Sequence, residues 1–218
     1  MTDPPKHARR PGNRRRPGRR GGESGTREAI LAAARARFGD LGYDRATIRG
    51  IAADAGVDPA LVHHFFGTKE RLFVAAMRLP IVPSEVIGAA LAPDGREPGR
   101  SLGEHLLSNA LTAWSVTETR SAFLGLLRTA VTSEQAAAML REFANDAILG
   151  RVAQAAREAA HGRDGDADFR AALVASQVLG LALTRYVLEL GPLARADDAA
   201  LARAIGPTID RYLTGEVG

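Results

Sequence analysis

Cysteine is absent from the 218-residue chain, which excludes disulfides, thiolate metal sites and redox chemistry carried by the protein itself. Long apolar runs are missing as well. A membrane-spanning helix needs about 18 to 20 apolar residues, whereas the longest candidate, Ala171 to Thr184, contains Ser176 and Gln177 and stops at Arg185. No membrane partner is therefore expected, and the chain reads as soluble and cytoplasmic. Lysine occurs only at Lys6 and Lys69, so nearly all positive charge is arginine. Catalytic fingerprints are lacking too: there is no HExxH, no dinucleotide-type glycine loop and no Ser/His/Asp set. The one Glu-x-x-His, Glu158 to His161, has no second copy, and a di-iron bundle site requires two. Catalytic residues, metal and cofactor are all expected to be none.

What is present begins with charge placed unevenly. The net charge is +4, yet residues 1–25 carry Lys6, Arg9, Arg10, Arg14, Arg15, Arg16, Arg19 and Arg20 against only Asp3 and Glu23. The positive charge is an arm. With Pro and Gly but no large apolar residue, "RRPGNRRRPGRRGG" cannot bury surface to offset its ordering entropy and is expected to be disordered when free. A secretory signal would need an uncharged apolar segment next, and Glu23, Arg27, Glu28, Arg35 and Arg37 follow instead. A polyanion, in practice nucleic acid, is the partner such an arm suits.

From Thr26 the apolar spacing is helical. Ile30, Leu31, Ala34, Phe38 and Leu41 share one face before Gly42, predicting a helix over Thr26 to Leu41. Thr47 can cap a short second helix that ends at Gly56, and Asp58 followed by Pro59 opens a third. On this third helix Val62, Phe65 and Phe66 fall on one side and Ala60 and His64 on the other. Adjacent histidines point about 100° apart on a helix and cannot both ligate one ion, so His63 and His64 are read as outward-facing. Thr68 caps a fourth helix expected to reach Leu79. Helix, four-residue turn and short helix with a small polar outer face form the helix-turn-helix pattern.

Phe38, the Gly42–Tyr43 pair, Thr47, Ile51–Ala52, "AGV" at Ala55 to Val57, "HFF" at His64 to Phe66 and "TKE" at Thr68 to Glu70 together resemble the N-terminal domain of the TetR (tetracycline-repressor) family of transcriptional regulators. The resemblance covers about 48 residues. It implies an all-α homodimer with a DNA-binding head and a larger body that binds a ligand and dimerises. By position it implies phosphate contacts at Thr47, His63 and Lys69, and base-facing positions at Pro59, Ala60 and Leu61. His63 stands where the family often has Tyr. Because Pro59, Ala60 and Leu61 offer only contact to thymine methyls, readout would lean on Arg45, Arg49, His64 or DNA shape.

Six further helices are expected after Pro80, among them one continuous helix over Ser133 to Ala160 and a long one over Phe169 to Glu189. Ser101 and Glu104 form a capping box. The long helix is apolar around much of its middle, which points to a symmetry mate. Apolar and polar residues mix on the middle helices as they do in ligand sites, giving His105, Asn109, Trp114, Arg120, Phe123, Arg128, Met139 and Phe143 as candidate ligand contacts. The chain thus divides into a basic arm (1–23), a head (24–80, helix-turn-helix about 46–66) and a body (81–218). The expected function is a repressor released from a palindromic double-stranded DNA operator by a small, apolar effector. An architectural DNA-binding protein without an effector, or a helical enzyme, are the alternatives.

Overall fold

The computed structural model describes residues 19–92, 98–159 and 166–215. Among them all regular structure is helical. In chain order the elements are α1 (Arg19–Arg45), α2 (Ile48–Asp54), α3 (Pro59–Phe66), α4 (Lys69–Ala76), α5 (Pro83–Leu91), α6 (Leu102–Ser115), α7 (Thr117–Thr132), α8 (Glu134–Ala144), a π-helical turn (Asn145–Leu149), α9 (Gly150–Ala159), α10 (Ala167–Tyr186), α11 (Gly191–Arg195) and α12 (Asp198–Thr214).

Local sequence explains most boundaries. Thr47, Asp58, Thr68, Ser101, Ser133 and Asp197 each accept a backbone N–H in the first turn of the helix that follows, satisfying donors that the helix itself leaves free. Gly56, between α2 and α3, has φ 67°, a conformation that side chains with a Cβ rarely take. That sets the turn of the helix-turn-helix.

Four boundaries differ from the sequence expectation. Helix α1 begins at Arg19 rather than Thr26, so Arg19 and Arg20, assigned to the disordered arm, open a helix instead, whereas at Gly42 (φ 82°) the backbone does leave the helix as expected, before a last short turn to Arg45; Gly21, Gly22 and Gly25 are weak helix formers but none forbids one. Arg14, Arg15 and Arg16 lie outside the described residues. Helix α4 stops at Ala76 and not at Leu79, because Arg78 turns left-handed (φ 55°) and Leu79 N–H bonds back to the Val74 carbonyl at 2.8 Å, closing the helix as a Schellman motif. The single helix expected over Ser133 to Ala160 contains the π turn. The expected Phe169 to Glu189 helix runs over Ala167–Tyr186, and after a left-handed Glu189 (φ 47°) the unexpected α11 follows.

Two apolar cores result. Ile30, Phe38, Tyr43, Ile51, Val62, Phe66, Leu72 and Phe73 fill the head, and Phe143 and Ala147, from α8 and the π turn, complete it. The second core joins α5, α6, α9, α10 and α12 through Leu107, Leu111, Val174, Ile209 and Leu213 among others. Helices α6 and α12 cross where Gly103 meets Gly206. A Cβ on Gly103 would collide with the Gly206 carbonyl and sit 2.9 Å from Asp210 N, so two glycines permit the approach. Asp210 then accepts the Gly103 N–H at 2.7 Å. Arg170 is buried because its guanidinium donates to the Tyr212 and Gly215 carbonyls at 2.9 and 2.7 Å, covering the free carbonyl end of α12.

Helix α10 is long and apolar enough to be a candidate bilayer span by length and composition alone, and much of it is left uncovered by the rest of the chain. Its open side is a stripe. Phe169, Leu179, Leu183 and Val187 are exposed, the last three at the four-residue spacing of one helical face, while Arg170, Ala171, Val174 and Leu181 face the core. The opposite side packs on α9 and α12.

Candidate nucleic-acid interface and effector cavity

Helix α3 is held from behind. Val62 and Phe66 are buried in the head core, and the Arg27 guanidinium lies 5.2 Å above the Phe66 ring. The front of α3 consequently carries Ala60, His63 and His64, all exposed, with Pro59 and Leu61 half-buried at its edges. Ala60 N–H is taken by Asp58 at 2.7 Å. His63 Nδ1 lies 2.9 Å from the Gly67 carbonyl; a carbonyl only accepts, so Nδ1 carries the proton in this bond.

Thr47 and Arg49 are exposed at the start of α2, with Thr47 Oγ1 accepting the Gly50 N–H at 3.1 Å. Arg45 is exposed and its Nε donates to the Leu41 carbonyl at 2.9 Å. Arg37 and Asp54 pair at 3.0 Å between α1 and α2. Thr47, Arg49 and the front of α3 belong to neighbouring elements of the head.

Lys69 is placed differently from a free phosphate ligand. Its Nζ donates to the Asp44 carbonyl at 3.1 Å and sits 4.3 Å from the centroid of the Tyr43 ring. Burial pulls its pKa below the ordinary lysine value, against the opposing pull of Asp44, Asp146 and Glu142.

That lysine stands beside a contact between head and body that sequence reasoning missed. Glu142 on α8 accepts the Asp44 N–H at 3.0 Å, and Asp146 in the π turn accepts the Tyr43 hydroxyl at 3.0 Å. Burial raises the Tyr43 pKa, and the bond to Asp146 raises it further, so the phenol keeps its donor proton. Between the two carboxylates Phe143 stacks on Phe73 at 4.4 Å and meets Tyr43 edge-on at 5.3 Å. Gln135, at the start of α8, donates to the Gly39 carbonyl. The signal was in the sequence as Glu142 and Asp146 four residues apart on either side of an aromatic residue, which places both acids on one helix face.

Phe143 also faces a cavity of about 340 Å³. Its walls come from the head–body connection (Leu79, Pro80, Ile81), from α5 and α6 (Val86, Ile87, Trp114), from α7 (Thr119, Phe123, Leu126) and from α8 to α10 (Leu140, Ile148, Val178). Among the described residues no charged side chain lines it. A second, open groove between α1 and α4 is of opposite character, lined by Arg27, Arg35, Arg71 and Arg78 with Glu28.

Of the eight candidate ligand contacts, Trp114, Phe123 and Phe143 reach the cavity wall. The other five do not line it. Arg120 donates to the Trp114 carbonyl at 3.3 Å and covers the Tyr186 ring at 5.3 Å. Asn109 bonds to the His105 carbonyl, His105 is buried, Arg128 is exposed, and Met139 packs against the head core. Among the described residues no group of His, Asp and Glu is arranged to hold a metal ion.

Comparison with known proteins gives two family matches. The family of bacterial regulatory proteins called tetR matches residues 30–76, and the tetracyclin repressor-like C-terminal domain matches residues 101–213. A TetR-family regulator from Streptomyces coelicolor A3, of known structure, is 40% identical, with 90% of this chain and 99% of that one covered and a TM-score of 0.47. The HTH-type transcriptional regulator BetI of Rhizobium meliloti is 48% identical over 52 residues, and BetI of Brucella anthropi 50% over 52. Those matches take in 24% of this chain and 26% of either relative, so the chain spans about a quarter of the length of the curated relatives it matches.

Proposed function

Because the chain belongs to the TetR family of bacterial regulatory proteins, we propose that it is a cytoplasmic, homodimeric repressor of transcription that leaves a palindromic operator when a small apolar molecule fills the cavity beside Phe143. The observation that carries this reading is the division of α3. Val62 and Phe66 are fixed in the core while Ala60, His63 and His64 face outward, and a short rigid helix with a small outer face fits the major groove.

In this reading the arm is 1–23, with its end from Arg19 onward already in α1, the head 24–80 and the body 81–218. Thr47 and His63 hold phosphates, Pro59, Ala60 and Leu61 lie against bases, and Arg45, Arg49 and His64 add polar contacts. Phosphate contacts set register and base contacts set sequence. Lys69 divides its ammonium between Asp44, Tyr43 and any phosphate, so it positions the end of α1 as well. Arg14, Arg15, Arg16, Arg19 and Arg20 supply sequence-independent attraction to the flanking duplex.

The ligand acts through two routes that leave the cavity wall for the head. One is the chain itself at Leu79 to Ile81, and the other is α8, where Phe143, Glu142 and Asp146 grip the end of α1. A ligand that binds one arrangement of α8 better than the other shifts the population of head positions by that difference in affinity.

Dimerisation uses the open stripe of α10. Leu183, 41% exposed at its centre, meets its symmetry mate across a two-fold axis. Leu183→Arg puts unpaired charge there without touching either core. Light scattering should then find a monomer, and operator affinity should fall about a hundredfold or more as two linked heads become independent. A dimer of normal affinity would move the interface elsewhere. The function itself is tested by footprinting the full chain on DNA adjoining its own gene: a discrete symmetric protected site supports regulation, and uniform coating overturns it.

A further inference from the structure

Two polar side-chain groups stand in the cavity wall, the Thr119 hydroxyl and the Trp114 indole N–H, and the first is buried with no partner in the fold. Thr119 is 3% exposed, lines the cavity from the first turn of α7, and its Oγ1 has no hydrogen-bond partner. Other helical threonines behave otherwise: Thr129, Thr132 and Thr184 return their hydroxyls to carbonyls four residues back at 2.9, 3.1 and 2.8 Å. Buried hydroxyls are normally paired, since leaving one unpaired forfeits its solvation.

Among the described residues the rest of the wall is almost wholly apolar. The walls contain aliphatic and aromatic side chains, with the Trp114 indole N–H as the other polar group. An ionised ligand would leave water for a site with no counter-charge, which costs far more than its apolar contacts return. A wholly apolar ligand would bind but leave Thr119 unpaired.

We infer that the effector is an uncharged, largely apolar molecule of about two rings that carries a single hydroxyl or carbonyl directed at Thr119 Oγ1. The inference rests on the reading of this cavity as the effector site, and it adds the chemical class and the residue that selects it. Thr119 can donate to a carbonyl or share a bond with a hydroxyl, so it orients the molecule along α7. A ring then lies between Trp114 and Phe123 on one side and Phe143 on the other, which ties occupancy to the aromatic contact with the head.

Three probes of one shape separate the possibilities: biphenyl, para-phenylphenol and para-phenylbenzoate, measured by equilibrium dialysis against the full chain. The phenol should bind about tenfold tighter than biphenyl and at least about a hundredfold tighter than the benzoate. Thr119→Val, isosteric and free of the unpaired group, should erase the advantage of the phenol while keeping biphenyl binding. Thr119→Ser should retain the advantage. Ala122→Trp, which fills the cavity from α7, should suppress both neutral probes and thereby locate them.

Equal affinity for phenol and biphenyl, an advantage that survives Thr119→Val, strongest binding of the benzoate, or no binding of any probe would each overturn the inference. Operator complexes formed with the same samples keep the two readings apart. Binding in the expected order without release of DNA would leave the ligand class standing and defeat ligand-controlled repression. Release without the expected order would do the reverse.

Discussion

Phe143→Ala should destabilise the chain by about 3 to 5 kcal/mol and leave operator binding unresponsive to a ligand in the cavity. Phe143 is 2% exposed and touches three things at once: Phe73 in α4, Tyr43 at the end of α1 and the cavity. Removing the ring opens a void continuous with the cavity, which the neighbouring helices cannot fill without moving α8. Chemical denaturation reads the first effect. The second is read well below the melting temperature, by titrating para-phenylphenol against the operator complex of the variant. The complex should form and persist as ligand is added. Phe143→Leu, which keeps most of the volume, should cost less than about 2 kcal/mol and restore part of the response. Stability within about 1 kcal/mol of the parent would remove Phe143 from the head core. A full ligand response in the alanine variant would assign the coupling to Leu79 to Ile81 alone.

Ala60→Asp should lower operator affinity about a thousandfold with no loss of stability. The two effects separate because of where the residue sits. Ala60 is the second residue of α3, after the Asp58 cap and Pro59, and a carboxylate in the first turn of a helix is favourable to the helix itself. Facing DNA, the same carboxylate meets phosphate charge in a narrow groove, and like-charge contact at an interface costs several kcal/mol. Operator binding and thermal melting, measured on the same preparation, give opposite signs if α3 enters the groove. Unchanged affinity would mean that another surface reads the DNA.

The helix-turn-helix was legible in the sequence because its signals are local. Thr47, Asp58 and Thr68 cap within three residues of themselves, Gly56 sets one turn, and the Val62, Phe65, Phe66 spacing needs only helical geometry. The cavity beside Phe143 was half legible. Trp114, Phe123 and Phe143 were found because large apolar side chains on adjoining helices must point inward somewhere. The polar candidates failed because nearness in sequence does not determine direction. Arg120 is drawn to the Tyr186 ring on α10, and the apolar candidate Met139 packs against the head core on the same face of α8 as Phe143. Thr119 carried no periodic or compositional mark, and only its lack of a partner in three dimensions sets it apart. The π turn at Asn145–Leu149 was equally hidden; it lies between α8, which packs on α1 of the head, and α9, which packs on α10 of the body.

Phe143 and Ala147 belong to the middle of the chain in sequence but to the head in packing. A module with its own core can be cut out or exchanged at a linker. This head has no such seam at residue 80, because severing the chain there would expose the rings of Tyr43 and Phe73 that α8 covers. The body is therefore not an interchangeable cassette. A chimera that kept this head but took its body from a relative would need an aromatic residue at the place of Phe143, with acids four residues apart around it, before it could fold as one cooperative unit.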